Sequence, residues 1–140
     1  MSFGREHIML SQKTIESYAS KEYVYFEKDV SINNAIKIFK KNSCTEGYFL
    51  DDNKIFIGKL RLIDIINKKN SVCYKYREKK PILVYNSSSI SDSIKILSDF
   101  VGESVPVLNK KSNFMIGIIS ENDVLKSYTE ISNDIRTIEK

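Results

Sequence analysis

Gly117-Ile118-Ile119-Ser120-Glu121-Asn122-Asp123-Val124-Leu125 repeats, 59 positions on (58 to 117), the stretch Gly58-Lys59-Leu60-Arg61-Leu62-Ile63-Asp64-Ile65-Ile66. Upstream of each, Ile32-Asn33-Asn34-Ala35-Ile36-Lys37-Ile38-Phe39 returns 58 positions on (32 to 90) as Ile90-Ser91-Asp92-Ser93-Ile94-Lys95-Ile96-Leu97. One extra residue in the loop 109–114 accounts for the difference in shift. The period is longer than usual solenoid units and occurs only twice. Two copies imply a pseudo-symmetric pair sharing an interface, and ligand sites tend to form at such interfaces.

Each copy reads as strand, helix, strand, strand, helix. In the first, 22–26 is an apolar and aromatic strand and Ser31 caps a helix. Ile32, Ile36 and Phe39 line one face of that helix, with Ala35 beside them. The segment 47–50 is a strand, 51–54 a turn, 55–60 a strand and 62–68 a helix. In the second, 81–85 is a strand and Ser89 caps a helix with the stripe Ile90, Ile94, Leu97 and Val101. The segment 105–108 is a strand, 110–113 a turn and 114–119 a strand, and Glu121 opens the closing helix. Tyr128, Ile131, Ile135 and Ile138 extend an amphipathic tail helix, which packs on its own core or meets a partner. The boundaries are a lead-in arm over 1–21 with one or two helical turns, repeats over 22–70 and 71–128, and a C-terminal helix over 129–140. Short strands covered by helices give an α/β sandwich, with the copies pairing through their strands.

Composition excludes several classes. At 140 residues the chain fits one compact domain of two halves. A hydrophobic fraction of 41% and a charged fraction of 29% exclude a disordered chain. His7 is the only histidine, and Cys44 and Cys73 lack metal spacing, so no metal site or Ser-His-Asp triad is expected. The cysteine usage suits a reducing compartment, the cytoplasm. No apolar run approaches the ~20 residues that cross a bilayer, and no signal peptide is evident. The net charge is +4, with basic clusters at 40–41, 68–69, 75–80 and 110–111. These are solvated surface, or contacts to nucleotide phosphate or lipid headgroups. They match no nucleic-acid reading motif, and no nucleic-acid partner is expected. With no nucleophile beside a base and no Gly-rich phosphate loop, the chain is not read as an enzyme.

The capped helix, the Glu103-Ser104-Val105-Pro106-Val107 strand and the Gly117 to Leu125 segment resemble the cystathionine-β-synthase (CBS) domain. Two in tandem look like a Bateman module, over about 22–128. The arm Gly4-Arg5-Glu6-His7 through Leu10, together with 100–107 and 122–128, is similar to the cytosolic C-terminal region of bacterial CLC-type chloride channels and transporters. That resemblance implies a cytoplasmic fragment of a membrane protein, associating as a homodimer.

Ser120 and Asp123 have two readings. They can form a capping box. Alternatively, the helix start attracts phosphate, the Ser hydroxyl donates to it, and the carboxylate accepts from ribose hydroxyls. The resemblance puts Asp123 on the ribose and Ser120 near phosphate. It lines the purine slot between the copies with Tyr23, Val24, Phe26, Thr45, Gly47 and Tyr48. Aromatics there can stack on adenine, although Phe26 also reads as core. The second, pseudo-symmetric site would use Arg61, Asp64, Ile82, Ser104, Val105 and Pro106. There Lys59 replaces an apolar residue and Arg61 replaces Ser or Thr. Arg61 then pairs with Asp64 and closes the pocket, or holds a phosphate. One nucleotide per chain is expected: ATP, ADP or AMP, as a regulatory ligand and not a catalytic cofactor. The implied function is regulation of an attached chloride channel or transporter. The alternatives are a structural dimerisation module without ligand, and a regulatory domain of a soluble enzyme.

Overall fold

Ser31 adopts extended backbone and its Oγ accepts the Asn34 N–H at 3.2 Å, so helix α1 (Ile32–Asn42) begins where the sequence places its cap. Ser89 does the same for α3 (Ile90–Leu97) through the Asp92 N–H, also at 3.2 Å. The computed structural model describes residues 14–98, 103–123, 125, 126 and 129. They divide into two compact units. The first-repeat unit holds Glu22–Pro81 and Ser112–Met115, and the second-repeat unit holds residues up to Lys21, Ile82–Lys111 and residues from Ile116 onward.

In the first-repeat unit, β1 (Tyr25–Phe26) runs parallel to β2 (Glu46–Leu50), and β2 runs antiparallel to β3 (Phe56–Arg61). The short helix α2 (Leu62–Ile65) follows. Ile32, Ala35 and Phe39 of α1 bury against Phe26, Phe49, Leu60 and Ile65. Each fully buried Ile or Phe contributes about 1.5–3 kcal/mol. In the second-repeat unit, β4 (Val84–Tyr85) runs parallel to β5 (Ser104–Leu108), and the sheet order is β4-β5-β6, with β6 covering Met115–Ser120. Its core is Ile15, Val84, Ile90, Leu97, Val105, Val107 and Ile119. The α/β architecture expected from the sequence is the one observed, as two three-stranded sheets with helices.

Several elements are shorter than expected. The strand read over 22–26 is only Tyr25–Phe26, and the strand read over 81–85 is only Val84–Tyr85. Only Phe26 and Val84 are buried in these stretches, and each parallel ladder finds only two partners. Helix α2 stops at Ile65 instead of reaching 68. Beyond it the chain is held to the start of α1: Asn70 Oδ1 accepts the Asn33 N–H at 3.1 Å and the Ser71 carbonyl accepts the Ile32 N–H at 2.8 Å. Val101 and the tail-helix positions Tyr128, Ile131, Ile135 and Ile138 lie outside the described residues.

The repeat extends further upstream than its sequence shows. The 3-10 turn Ile15–Tyr18 and the 3-10 turn Cys73–Tyr76 sit at equivalent positions, 58 apart (15 to 73). Ile15 N–H donates to the Ser88 carbonyl at 3.2 Å, and Cys73 N–H donates to the Val30 carbonyl at 3.0 Å. Ser20 then pairs with Ile118 on β6, and Glu78 pairs with Lys59 on β3. These crossings explain the repeated glycine. A Cβ on Gly117 would lie 2.5 Å from the Ser20 carbonyl oxygen. One on Gly58 would lie 2.6 Å from Arg77 Cδ, on a backbone with φ +154° that L side chains rarely adopt.

Candidate functional site

Strand β6 ends at Ser120, and helical backbone begins at Glu121. The Ser120 N–H and Oγ–H both donate to Asp123 Oδ2 at 2.9 Å. The Asp123 N–H donates back to Ser120 Oγ at 3.3 Å. This is the reciprocal capping box. It commits the Ser120 hydroxyl proton to Asp123, so Ser120 donates to a phosphate only by giving up that bond. Asp123 is half-buried, and among the described residues its Oδ1 accepts no hydrogen bond.

The equivalent corner of the first-repeat unit is built differently. Arg61 precedes α2 with no side-chain cap, and Asp64 is exposed. The Arg61 guanidinium forms an ion pair with Glu78 Oε2 at 2.6 Å, where the sequence reading offered Asp64 or a phosphate as its partner. Lys59, only 4% exposed, meets Glu46 Oε1 at 2.7 Å. Glu46 lies directly across from Arg61 in the β2–β3 ladder, and Lys59 is two residues along the same face. The four charges form two ion pairs at the start of β2 and the end of β3. The sequence reading missed Glu46 and Glu78 as members of this corner. Its available signal was Lys59 itself, because a lysine in an apolar strand requires a nearby carboxylate.

The residues expected to line the purine slot fall as follows. In the first-repeat unit, Tyr23 is half-buried and packs edge-on against Tyr48, with ring centroids 6.0 Å apart. Tyr48 is itself buried. Burial, and secondarily the charge of Tyr25, push the Tyr23 phenol above its ordinary pKa. Phe26 is core, packed on Phe39 and Phe49 at 5.3 and 6.0 Å. Gly47 exists to admit it, since a Cβ there would lie 2.4 Å from the Phe26 ring. Val24 packs on the same core. Thr45 is exposed, and its carbonyl accepts the Leu62 N–H at 2.9 Å. In the second-repeat unit, Val105 and Pro106 are buried in β5, Ser104 is half-buried and Ile82 is exposed.

Two depressions of about 360 and 290 Å³ open on the first-repeat unit. Both carry Glu27 and Asp29, and the smaller adds Asp51 and Asp52. Such carboxylate-rich walls repel phosphate. No group of His, Cys, Asp and Glu able to hold a metal ion occurs among the described residues. Burial raises the Cys73 thiol to about 11 and also lifts Cys44. No helix among the described residues is long and apolar enough to cross a membrane.

Residues 75–130 match the family model of the CBS domain. An uncharacterized protein of Methanocaldococcus jannaschii is 37% identical over 60 residues, covering 43% of this chain and 35% of the relative. A second uncharacterized protein of that organism is 24% identical over 119 residues, covering 83% of this chain and 44% of the relative. The chain therefore spans less than half the length of the curated relatives it matches. Among solved structures, CBSX2 in complex with AMP superposes with a TM-score of 0.74 at 16% identity, over 86% of this chain and 98% of that one. The soluble part of a magnesium transporter gives 0.76 at 17%, over 90% and 51%. The cytosolic domain of the Mg2+ channel MgtE in complex with ATP gives 0.69 at 17%, over 78% and 46%. The chain carries the fold of a CBS-domain pair, with its second repeat matching the CBS family by sequence.

Proposed function

We propose that this chain is a non-catalytic regulatory module that binds an adenine nucleotide through the Ser120–Asp123 corner and transmits its occupancy to an attached transport domain. The observation that carries the reading is Asp123: one carboxylate oxygen holds the helix start, while Oδ1 has no partner among the described residues and suits a ribose hydroxyl. Solved proteins of this fold hold AMP and ATP, and one is the soluble part of a magnesium transporter. In the first-repeat unit Arg61 offers only donors and leaves α2 without a side-chain cap, which supports one nucleotide per chain. The transport domain of this reading is the CLC-type chloride channel or transporter that the sequence resembles, with two chains paired on its cytoplasmic side. Regulation then requires that the nucleotide bind one state of the transport domain more tightly than the other.

The test is thermal unfolding with AMP, ADP and ATP. A ligand at 100 times its Kd stabilises by about 2.7 kcal/mol. The expected result is such a shift for at least one nucleotide, lost in Asp123→Asn. That variant keeps an oxygen acceptor for Ser120 but not the charge, so its unliganded melting temperature should stay close to that of the parent. Absence of a shift with all three nucleotides at millimolar concentration would overturn the reading. It would leave the alternative of a structural dimerisation module, which the internally satisfied hydroxyl of Ser120 favours.

A further inference from the structure

The positive charge of this chain sits almost wholly in one stretch. Between residues 66 and 80 lie Lys68, Lys69, Lys75, Arg77, Lys79 and Lys80 against a single acid, Glu78. The whole chain carries 22 basic and 18 acidic residues, so outside this stretch 16 (22 − 6) basic residues face 17 (18 − 1) acidic ones. Glu78 does little to offset the cluster, because its carboxylate is paired with Arg61 at 2.6 Å. All five lysines are exposed.

The fold concentrates these charges. The Lys68 and Lys75 ammonium groups converge on the Tyr76 ring, 5.6 and 5.2 Å from its centroid. The ring quadrupole holds two like charges side by side. Neither lysine has an acidic partner among the described residues. Immediately before the cluster, Ile63 and Ile66 stand three residues apart on one helical face and are 77% and 48% exposed. Exposed isoleucines, a half-buried tyrosine and a row of lysines on consecutive chain are the elements of a surface that rests at a lipid headgroup layer. The isoleucines favour this occupant over a nucleic acid, which admits aliphatic side chains only where its bases unstack, whereas the acyl boundary of a bilayer takes them in directly.

We infer that the Lys68–Lys80 surface, with Ile63 and Ile66 beside it, docks on an anionic lipid bilayer. Each lysine near such a surface adds an attraction that falls off within a Debye length. The inference uses neither Ser120 nor Asp123, so it stands or falls apart from the nucleotide reading.

The test is co-sedimentation of the whole chain with phosphatidylcholine vesicles, with and without about a third phosphatidylglycerol. Binding is expected only to the anionic vesicles and should fall steeply as salt is raised. Lys68→Gln with Lys75→Gln should weaken it by roughly 25-fold, at about fivefold per lysine. The equally charge-reducing pair Lys40→Gln with Lys41→Gln, at the end of α1, should leave it within about twofold. Ile66→Ser should weaken it without changing its salt dependence. Equal binding to neutral vesicles, no binding to anionic ones, or equal losses from the two lysine pairs would each overturn the proposal. So would release from anionic vesicles by a stoichiometric amount of single-stranded RNA, which would assign the surface to nucleic acid.

Discussion

Asp123 illustrates how one side chain reads as structure and as function at once. Its backbone N–H and Oδ2 close the box with Ser120, while Oδ1 has no partner among the described residues. Losing a helix cap costs about 1 kcal/mol, so a stability loss on truncation alone does not separate the two roles, and the ligand-dependent shift does. Cys73 makes a different residue-scale prediction. Its folded pKa is raised from 9.0 to about 11 by burial. Between those values the unfolded thiol gives up its proton while the folded one keeps it, so the unfolded state binds fewer protons and stability falls as pH rises. Denaturation midpoints measured from pH 8 to 10.5 should fall more steeply for the parent than for Cys73→Ala. Equal slopes would show that the thiol ionises alike in both states.

At the scale of the element, the second strand pair of the first repeat is held partly by charge. Lys59 occupies the position that Ile118 fills in the other repeat, so its buried ammonium depends on Glu46. Breaking a buried pair from one side strands the remaining charge, while replacing both members with apolar groups is often neutral. Glu46→Ala should therefore cost about 3 kcal/mol in urea unfolding. Lys59→Met combined with Glu46→Leu should return to within about 1 kcal/mol of the parent. If the double variant is as unstable as the single one, the pair is not what holds β2 to β3. The helices are simpler. Ser31 and Ser89 cap them, and one polar-to-apolar difference separates their buried faces, Ser93 standing where Ala35 does. The buried Ser93 hydroxyl donates to the Ser89 carbonyl at 2.9 Å, which allows a polar residue at that depth.

At the scale of the whole chain, a segment read as a linker is a core element. Ile15, inside the stretch taken as a lead-in arm, is fully buried with Ile90, Leu97 and Ile119. Ile15→Ala should destabilise the second-repeat unit by about 3 kcal/mol, seen as faster amide exchange at Val107 and Ile119 than in the parent. A linker residue would leave exchange there unchanged. Each compact unit thus takes a 3-10 turn into its core, from ahead of its strands in the second-repeat unit and from after them in the first-repeat unit, and lays the residues that follow the turn against its third strand, at Ser20 on Ile118 and at Glu78 on Lys59.

The repeat, the order of its elements and the two serine caps were legible from residue type and spacing alone, and the Ser120–Asp123 box was one of two readings open for those residues. All of these are local: caps and helical stripes act over three or four residues, and the repeat doubles their signal. The equivalence of 14–20 with 72–78 escaped because burial requires only one small or apolar side chain there, Ile15 in one and Cys73 in the other. The backbone bridges that define the match carry no side-chain code. The pairing of Arg61 with Glu78, the burial of Lys59 against Glu46 and the use of Phe26 and Tyr48 as core emerge only on folding. Those outcomes depend on which strands become neighbours, because a charge or an aromatic ring acquires its role from what lies beside it in space and not from its own identity.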